Sequence, residues 1–304
     1  MSFTKLFPFF LLVACNSTAQ QKTEVSTDWK QFGDYWYQGE AELTSFELEQ
    51  ARYGEIRSGK AVLVFVTEPF SKSKQVKLDN PQAAGDDRIN VMKLNFTKKF
   101  NTGIYPYSMM TSSFVPVSYD KFPDALKVTT TSQEWCGHTF TQLNHYGKQY
   151  RFRQFSYFES EGDVEKSIAN EWLEDELWQR IKINPELLPT GEFKMLPATM
   201  YLRLSHNTGE PVTTSGSLNQ VDSSAYHTEK HSVYTLAHDD RTLHIYFQTS
   251  FPYIIYGWEE TYQTGFGGKK EMTTRAKRIT TIKSPYWRKN STEDAYLREE
   301  LGLE

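Results

Sequence analysis

The sequence predicts a mainly β protein: one large curved antiparallel sheet or open barrel, with one central amphipathic helix and a short C-terminal helix. Short runs that alternate apolar and polar residues fill most of the chain, and Gly, Asn, Asp and Pro separate them. A single stretch, 163–182, instead repeats apolar residues at every fourth position. A chain of many strands with one substantial helix packs that helix against the concave face or the end of its sheet.

The predicted strands lie on both sides of that helix. The candidates are 43–51, 61–66, 91–96, 126–131, 139–144, 150–158, 199–204, 234–237, 243–249, 253–262 and 272–282. The stretch 205–232, rich in Ser, Thr, Asn and Gly, is interpreted as a long loop. Glycines in the segment 265–270 predict a hairpin turn, because the segment lacks the spacing of a phosphate-binding loop.

Two helices are predicted. The central one, 163–182, contains carboxylates that could suggest a glycoside hydrolase but are interpreted as its solvated face: Glu171, Glu174, Asp175 and Glu176. Ser291 with Asp294 three residues later predicts the cap of a short C-terminal helix that ends before Gly302.

The charge balance excludes one class of partner. The chain has 304 residues, with 34 basic and 38 acidic side chains and a formal net charge of -4. Nucleic-acid binding relies on an excess of Lys and Arg that neutralises phosphates. We therefore expect no nucleic-acid partner.

The N-terminus predicts an exported lipoprotein. Lys5 precedes an apolar run, 6–14, that is too short to span a membrane but suits a signal peptide. The run ends in Leu-Val-Ala-Cys, which resembles a bacterial lipobox, so Cys15 is the predicted lipidation site and the membrane is a predicted partner through that lipid. Asn16, rather than Asp, favours the outer membrane, facing the periplasm. The predicted organisation is a signal peptide at 1–14, a flexible tether at 15–28 and a single β-rich domain at 29–304.

Cys136 is the other cysteine of the chain. His138 two residues away, or His145 across a hairpin, could hold it as a thiolate nucleophile. A lone cysteine is more often a small buried hydrophobic residue. The favoured interpretation is therefore a buried, solitary thiol, and the catalytic pair Cys136 and His138 is the alternative.

Four histidines fall in one stretch: His227, His231, His238 and His244. Imidazoles bind zinc, but the surrounding sequence predicts a loop rather than a helix that would align them. They are interpreted as solvated side chains, and we expect neither a metal nor a cofactor.

The segment 105–110 combines aromatic residues with two adjacent methionines and could line an apolar pocket. Its candidates are Tyr105, Tyr107, Met109 and Met110, since methionine adapts to irregular ligands. Core packing is the favoured interpretation of these four residues, and the pocket is the alternative.

Six segments resemble a family of uncharacterised Gram-negative envelope lipoproteins: QARYGEIR at 50–57, AVLVFVTE at 61–68, KQVKLDNP at 74–81, LNFTKKF at 94–100, GIYPYSMM at 103–110 and QEWCG at 133–137. Some members carry the label septum formation inhibitor Maf. Genuine Maf proteins are cytosolic α/β nucleotide pyrophosphatases with a Ser-x-Ser-Pro-Arg-Arg loop. The nearest segment here, 284–288, lacks the paired Arg and lies near the other terminus. No Maf catalytic residue is therefore transferred to this chain.

Together these observations predict a non-enzymatic, lipid-anchored envelope protein that binds an apolar small molecule or an envelope partner. A thiol enzyme using Cys136 and His138, and a Maf-type pyrophosphatase, are the alternatives.

Overall fold

A computed structural model describes residues 27–207, 209–265, 268 and 270–303. Cys15, the predicted signal peptide and most of the predicted tether lie outside these residues.

Within the described residues, fifteen strands form one sheet. They are β1 (Ala41–Arg52), β2 (Glu55–Ser71), β3 (Arg88–Thr102), β4 (Tyr105–Pro116), β5 (Lys127–Glu134), β6 (Gly137–Tyr146), β7 (Gln149–Ser156), β8 (Val164–Ala169), β9 (Trp172–Leu173), β10 (Gly191–Leu196), β11 (Val212–Val221), β12 (His231–His238), β13 (Arg241–Phe247), β14 (Ile255–Thr264) and β15 (Lys270–Ser284). The α-helices are α1 (Trp29–Trp36), α2 (Leu177–Ile183), α3 (Thr199–Ser205) and α4 (Tyr296–Glu300). Short 3₁₀ turns occupy Gly85–Asp87, Glu174–Glu176, Pro185–Leu187, Tyr286–Arg288 and Thr292–Ala295.

The strand order shows how the sheet is built. It runs β8-β7-β6-β5-β4-β3-β2-β1-β15-β14-β13-β12-β11-β10-β9, so the first and last strands pair in the middle. All neighbours are antiparallel except β9 and β10. The edge strands β8 and β9 do not pair with each other in the described chain, yet only Asn170 and Glu171 connect them. The sheet is therefore open but rolled, and the prediction of a mainly β fold with a large open antiparallel sheet is confirmed.

The rolled sheet has two distinct ends. At the base end, α1 packs where β1 begins: the hydroxyl of Tyr35 donates to Glu42, and the carbonyl of Trp36 accepts from Thr67. At the tip end lie the turns that connect β1 to β2, β3 to β4 and β5 to β6. The twelve residues of β1 separate the two ends by roughly 37 Å along the strand.

The central segment, 172–205, fills the interior of the roll. Every residue of α2 is buried, and Trp178 packs edge-on against Phe96 of β3 and Trp258 of β14, at ring-centroid distances of 5.3 and 5.4 Å. The ammonium of Lys182, also fully buried, lies 2.9 Å from the carboxylate of Glu42. Side chains of the protein's own chain thus occupy the space that larger barrels leave for a ligand.

The predicted central helix is wrong in its first half. Residues 164–169 form β8, and the helix proper spans only Leu177–Ile183. Val164 and Ile168 are four positions apart, a spacing that places side chains on one face of a strand as well as of a helix. The carboxylates of Glu174, Asp175 and Glu176 are buried in a 3₁₀ turn and do not form a solvated face.

Three other elements differ from prediction. The stretch 199–204 is helical, because Asp175 accepts hydrogen bonds from the backbone N–H and hydroxyl of Thr199 and so caps α3. α1 lies before the first predicted strand, where no helix was predicted, and Asp28 caps it. β11 lies in the predicted loop 205–232, and its outward-facing polar residues explain why composition hid it.

The predicted hairpin between β14 and β15 and the predicted C-terminal helix are both present. Thr264 of β14 pairs with Lys270 of β15, which confirms the hairpin there. The hydroxyl and N–H of Ser291 both contact Asp294, and α4 follows. Leu301 then packs on Ala41, Leu43 and Val66, outside the roll. No helix among the described residues is long and apolar enough to cross a membrane.

Candidate functional site at the tip end

Three large hydrophobic side chains project from the hairpin turns at the tip end. Ile104 is 84% exposed, Trp135 69% and Tyr157 71%. Their hairpins β3–β4, β5–β6 and β7–β8 are consecutive in the sheet. We call these three residues the tip row.

Two contacts made by neighbouring residues bring the three hairpins of the tip row close together. The ring of Trp135 lies 6.4 Å from that of Tyr105, the neighbour of Ile104. On the other side, a Cβ at Gly137 would lie 2.7 Å from the ring of Tyr157, so only glycine lets the Tyr157 ring approach this closely. Exposed, contiguous apolar side chains of this kind mark interaction surfaces.

Cys136 is exposed in the same β5–β6 turn, which makes the prediction of a buried thiol wrong. A two-residue turn has no interior in which to bury it. Hydrogen bonding to the Glu134 carboxylate raises the pKa of the Cys136 thiol, and the Tyr105 hydroxyl also contacts the thiol. A raised pKa disfavours the thiolate that a nucleophile needs.

Neither predicted histidine partner meets this thiol. His138 is exposed on β6, where it pairs with Gln133. His145 lies toward the base end, 3.4 Å from Asp124. The structure therefore joins Cys136 to Glu134 and Tyr105 rather than to an imidazole.

The four pocket candidates do not line one cavity. Tyr107 and Met109 are buried in the core, and Tyr107 stacks on Phe100 at 4.8 Å. Met110 is exposed on the opposite face of β4, and Tyr105 is half-buried near the tip row. Successive side chains of a strand point to opposite faces of the sheet, so Met109 and Met110 lie on different faces.

A vestibule of about 300 Å³ opens at the tip end, and none of its lining residues belongs to the tip row. Arg52 and Tyr53 from the β1–β2 turn form one wall, and Asp239 and Asp240 from the β12–β13 turn form another. Tyr201 of α3 belongs both to this vestibule and to a smaller cavity of about 30 Å³. The smaller cavity has room for about two water molecules.

Charged side chains surround that inner cavity. Arg241 binds Glu174 at 2.5 Å and Glu260 at 2.8 Å. The ammonium of Lys98 lies 3.9 Å from Glu260, and burial lowers the pKa of Lys98. Burial also raises the pKa of Asp175 to about 7. These groups tie the central segment to the sheet wall, so their first role is structural.

Lys98, Arg241 and Arg52 were not among the predicted site residues, although the sequence pattern around each of them indicates a buried charge. Each shares the inward face of its strand with apolar neighbours: Lys98 with Leu94, Phe96 and Phe100, Arg241 with Leu243 and Ile245, and Arg52 with Phe46 and Leu48. A charge that interrupts an apolar face at period two is expected to be buried, and a buried charge requires hydrogen bonds or an ion pair.

The remaining carboxylates of the predicted helix and two of the four histidines do not form a solvated face or a site. Glu176 pairs with Arg180 at 2.8 Å, and Glu171 is only half-buried outside the cavity. His231 and His238 are buried, which makes the prediction of solvated histidines wrong for these two.

The four histidines do not converge on one point, although the rings of His227 and His231 pack edge-on at 5.8 Å. Both ring nitrogens of His231 have protein partners, Ser224 and the carbonyl of Glu229. His227 stacks on Tyr256 at 4.1 Å, and His244 contacts Thr235. No group of three or more potential metal ligands occurs in the part of the chain that the structure describes.

Comparison with known proteins finds no matching family model, no curated relative and no solved structure of similar fold.

Proposed function

We propose that this chain is a non-enzymatic, lipid-anchored envelope protein that docks an envelope protein partner through the tip row. The single observation that supports this is the exposure of Ile104, Trp135 and Tyr157 on three consecutive hairpins. Binding energy at protein interfaces concentrates in a few large side chains, and aromatic residues are enriched among them.

The N-terminal segment enters the fold at the base end, opposite the tip row, as a membrane anchor would require. Thr27 lies at the base end, where its hydroxyl contacts Tyr119 and Asn184. Cys15 precedes it by twelve positions. A lipid on Cys15 would hold the base end toward the membrane and leave the tip row facing away from it. A partner protein, rather than the lipid surface, is then the expected occupant of the tip row.

The filled interior argues against the other predicted ligand, an apolar small molecule held inside the sheet. Trp178 and the rest of α2 occupy that space. The Cys136 thiol has a raised pKa, and its interactions are with Glu134 and Tyr105 rather than a histidine, so the thiol-enzyme alternative has no support. A mainly β fold likewise gives none to a Maf-type pyrophosphatase.

Photo-crosslinking in intact cells tests the docking proposal. A benzoylphenylalanine placed at the exposed position 138 lies next to the tip row. We expect one discrete protein adduct, and we expect its loss in the triple variant I104S/W135S/Y157S. The matched control, Y146S/W287S, changes side chains that are 53% and 43% exposed elsewhere and should retain the adduct.

Other outcomes would overturn the proposal. An adduct that persists in the triple variant, or crosslinks to lipid alone, would show that the tip row does not dock a protein. Lipidation has its own measurement, incorporation of an alkyne-labelled fatty acid, which Cys15→Ser should abolish. If no fatty acid is incorporated, the proposed lipid anchor is wrong, but the crosslinking test of the tip row still stands.

A further inference from the structure

We propose that the vestibule at the tip end is a binding site for a small zwitterion, an amino acid or peptide end group with an apolar or aromatic body. Its carboxylate would lie toward Arg52 and its ammonium toward Asp239 and Asp240. This inference is independent of the docking proposal.

Arg52 is a buried cation without an anionic partner. The residue is 4% exposed, and no carboxylate of the described residues lies within 4.0 Å of it. Its terminal nitrogens donate instead to the Leu204 carbonyl and to the hydroxyls of Tyr53 and Tyr107, and its Nε has no partner among the described groups. Buried charges in proteins are normally paired, so this guanidinium favours an anion that enters the vestibule.

The opposite wall carries the complementary charge. Asp239 and Asp240 are both exposed in the β12–β13 turn. The nearest cationic candidate, His238, lies 3.7 Å from Asp239. Burial lowers the pKa of His238, which leaves that imidazole neutral at pH 7. Among the described residues no lysine or arginine lies within 4.0 Å of either carboxylate, and both are exposed to a ligand ammonium.

The space between these charges suits a small molecule with an apolar body. The vestibule volume of about 300 Å³ lies at the lower limit for small-molecule sites. Tyr201 and Tyr262 add aromatic surface to the lining, together with Tyr53 of the Arg52 wall. A ligand with separated opposite charges matches both walls at once, whereas a simple anion or a simple cation matches only one.

Calorimetric titration of the purified full-length protein with three matched probes tests this inference. L-phenylalanine carries both charges, 3-phenylpropanoate lacks the ammonium, and phenethylamine lacks the carboxylate. We expect saturable binding of L-phenylalanine, and at least tenfold weaker binding of each single-charge probe. No saturable binding of L-phenylalanine at 10 mM, or equal affinity for all three probes, would overturn the inference.

A variant at the exposed wall avoids disturbing the fold. Asp239 has φ +46°, a left-handed conformation that asparagine also tolerates, so D239N/D240N should keep the turn. We expect it to weaken L-phenylalanine binding at least tenfold and to leave 3-phenylpropanoate binding unchanged or stronger. D222N, a control at an exposed carboxylate outside the vestibule, should bind as the parent does. Undiminished L-phenylalanine binding by D239N/D240N would contradict the proposed orientation.

Discussion

Arg241 and Glu174 form a bidentate ion pair inside the rolled sheet. The two terminal nitrogens of Arg241 lie 2.7 and 2.5 Å from the two carboxylate oxygens of Glu174. Arg241 belongs to the sheet wall, whereas Glu174 belongs to the 3₁₀ turn that leads into α2. The pair therefore fixes the central segment against the sheet by a contact that is both charged and directional.

Removing this guanidinium should be strongly destabilising. Arg241→Met leaves Glu174 and Glu260 as buried carboxylates without their main partner, at an expected cost of about 3–5 kcal/mol in the free energy of unfolding. Urea denaturation measures the loss. Arg151→Met breaks the exposed pair with Glu165 and should cost no more than about 1 kcal/mol. Equal losses in the two variants would contradict a structural role for the buried network.

Asp175 should make stability fall as the pH rises from about 4 to 7. Its pKa is raised from 3.8 to about 7 in the folded protein, so the folded state binds more protons than the unfolded state across that interval. The protonated carboxyl favours folding below this range, and that contribution is lost once the pH passes 7.

Asp175→Asn tests this because the amide oxygen can still accept from Thr199 but cannot titrate. We expect the variant to gain stability relative to the parent at pH 8, and the gain to shrink at pH 5. Urea unfolding at the two pH values measures the difference. A difference that does not change with pH would show that Asp175 is ionised in the folded protein.

Cys136 should react slowly despite its exposure. Because hydrogen bonding to Glu134 raises the thiol pKa, alkylation by iodoacetamide at pH 7.5 is expected to be slower than that of an unstructured cysteine. Glu134→Gln should accelerate it, while His138→Ala should leave the rate unchanged. Fast alkylation that depends on His138 would restore the thiol-enzyme alternative.

Gly59 marks a close approach of two strands. A Cβ at this position would lie 2.2 Å from the carbonyl oxygen of Lys99 on β3. Gly59→Ala is therefore expected to destabilise the protein by about 3 kcal/mol. Gly33→Ala in α1, where the nearest atom is a Tyr37 ring carbon at 3.4 Å, should instead stabilise it by up to about 1 kcal/mol. Thermal melts of both variants distinguish these opposite signs.

The fold class could be predicted because period-two alternation survives in most strands, as in β5 and β13. The prediction failed where a spacing of four fits two structures, at 164–169, and where tertiary contacts decide, as at Thr199. β11 escaped detection because an outward polar strand has the composition of a loop.

The candidate site was harder to predict than the fold. The sequence identified Cys136 and suggested His138 as its partner. Cys136 lies in the β5–β6 turn, however, and this turn brings Glu134 rather than His138 to the thiol. The vestibule joins residues as distant as Arg52 and Asp239. Only the pairing of β1 with β15, and the roll it imposes, brings them together.

The pairing of β1 with β15 also means that the sheet can be completed only when synthesis of the chain is almost finished. β1 has β2 as its neighbour on one side, but its other edge stays unpaired until β15 has been made, because Ala41 pairs with Ser284. An exposed strand edge of this length is a template for aggregation. Nascent chains that stop before residue 270 should therefore depend on chaperones, and C-terminal truncations should fail by insolubility before they fail by loss of any binding site.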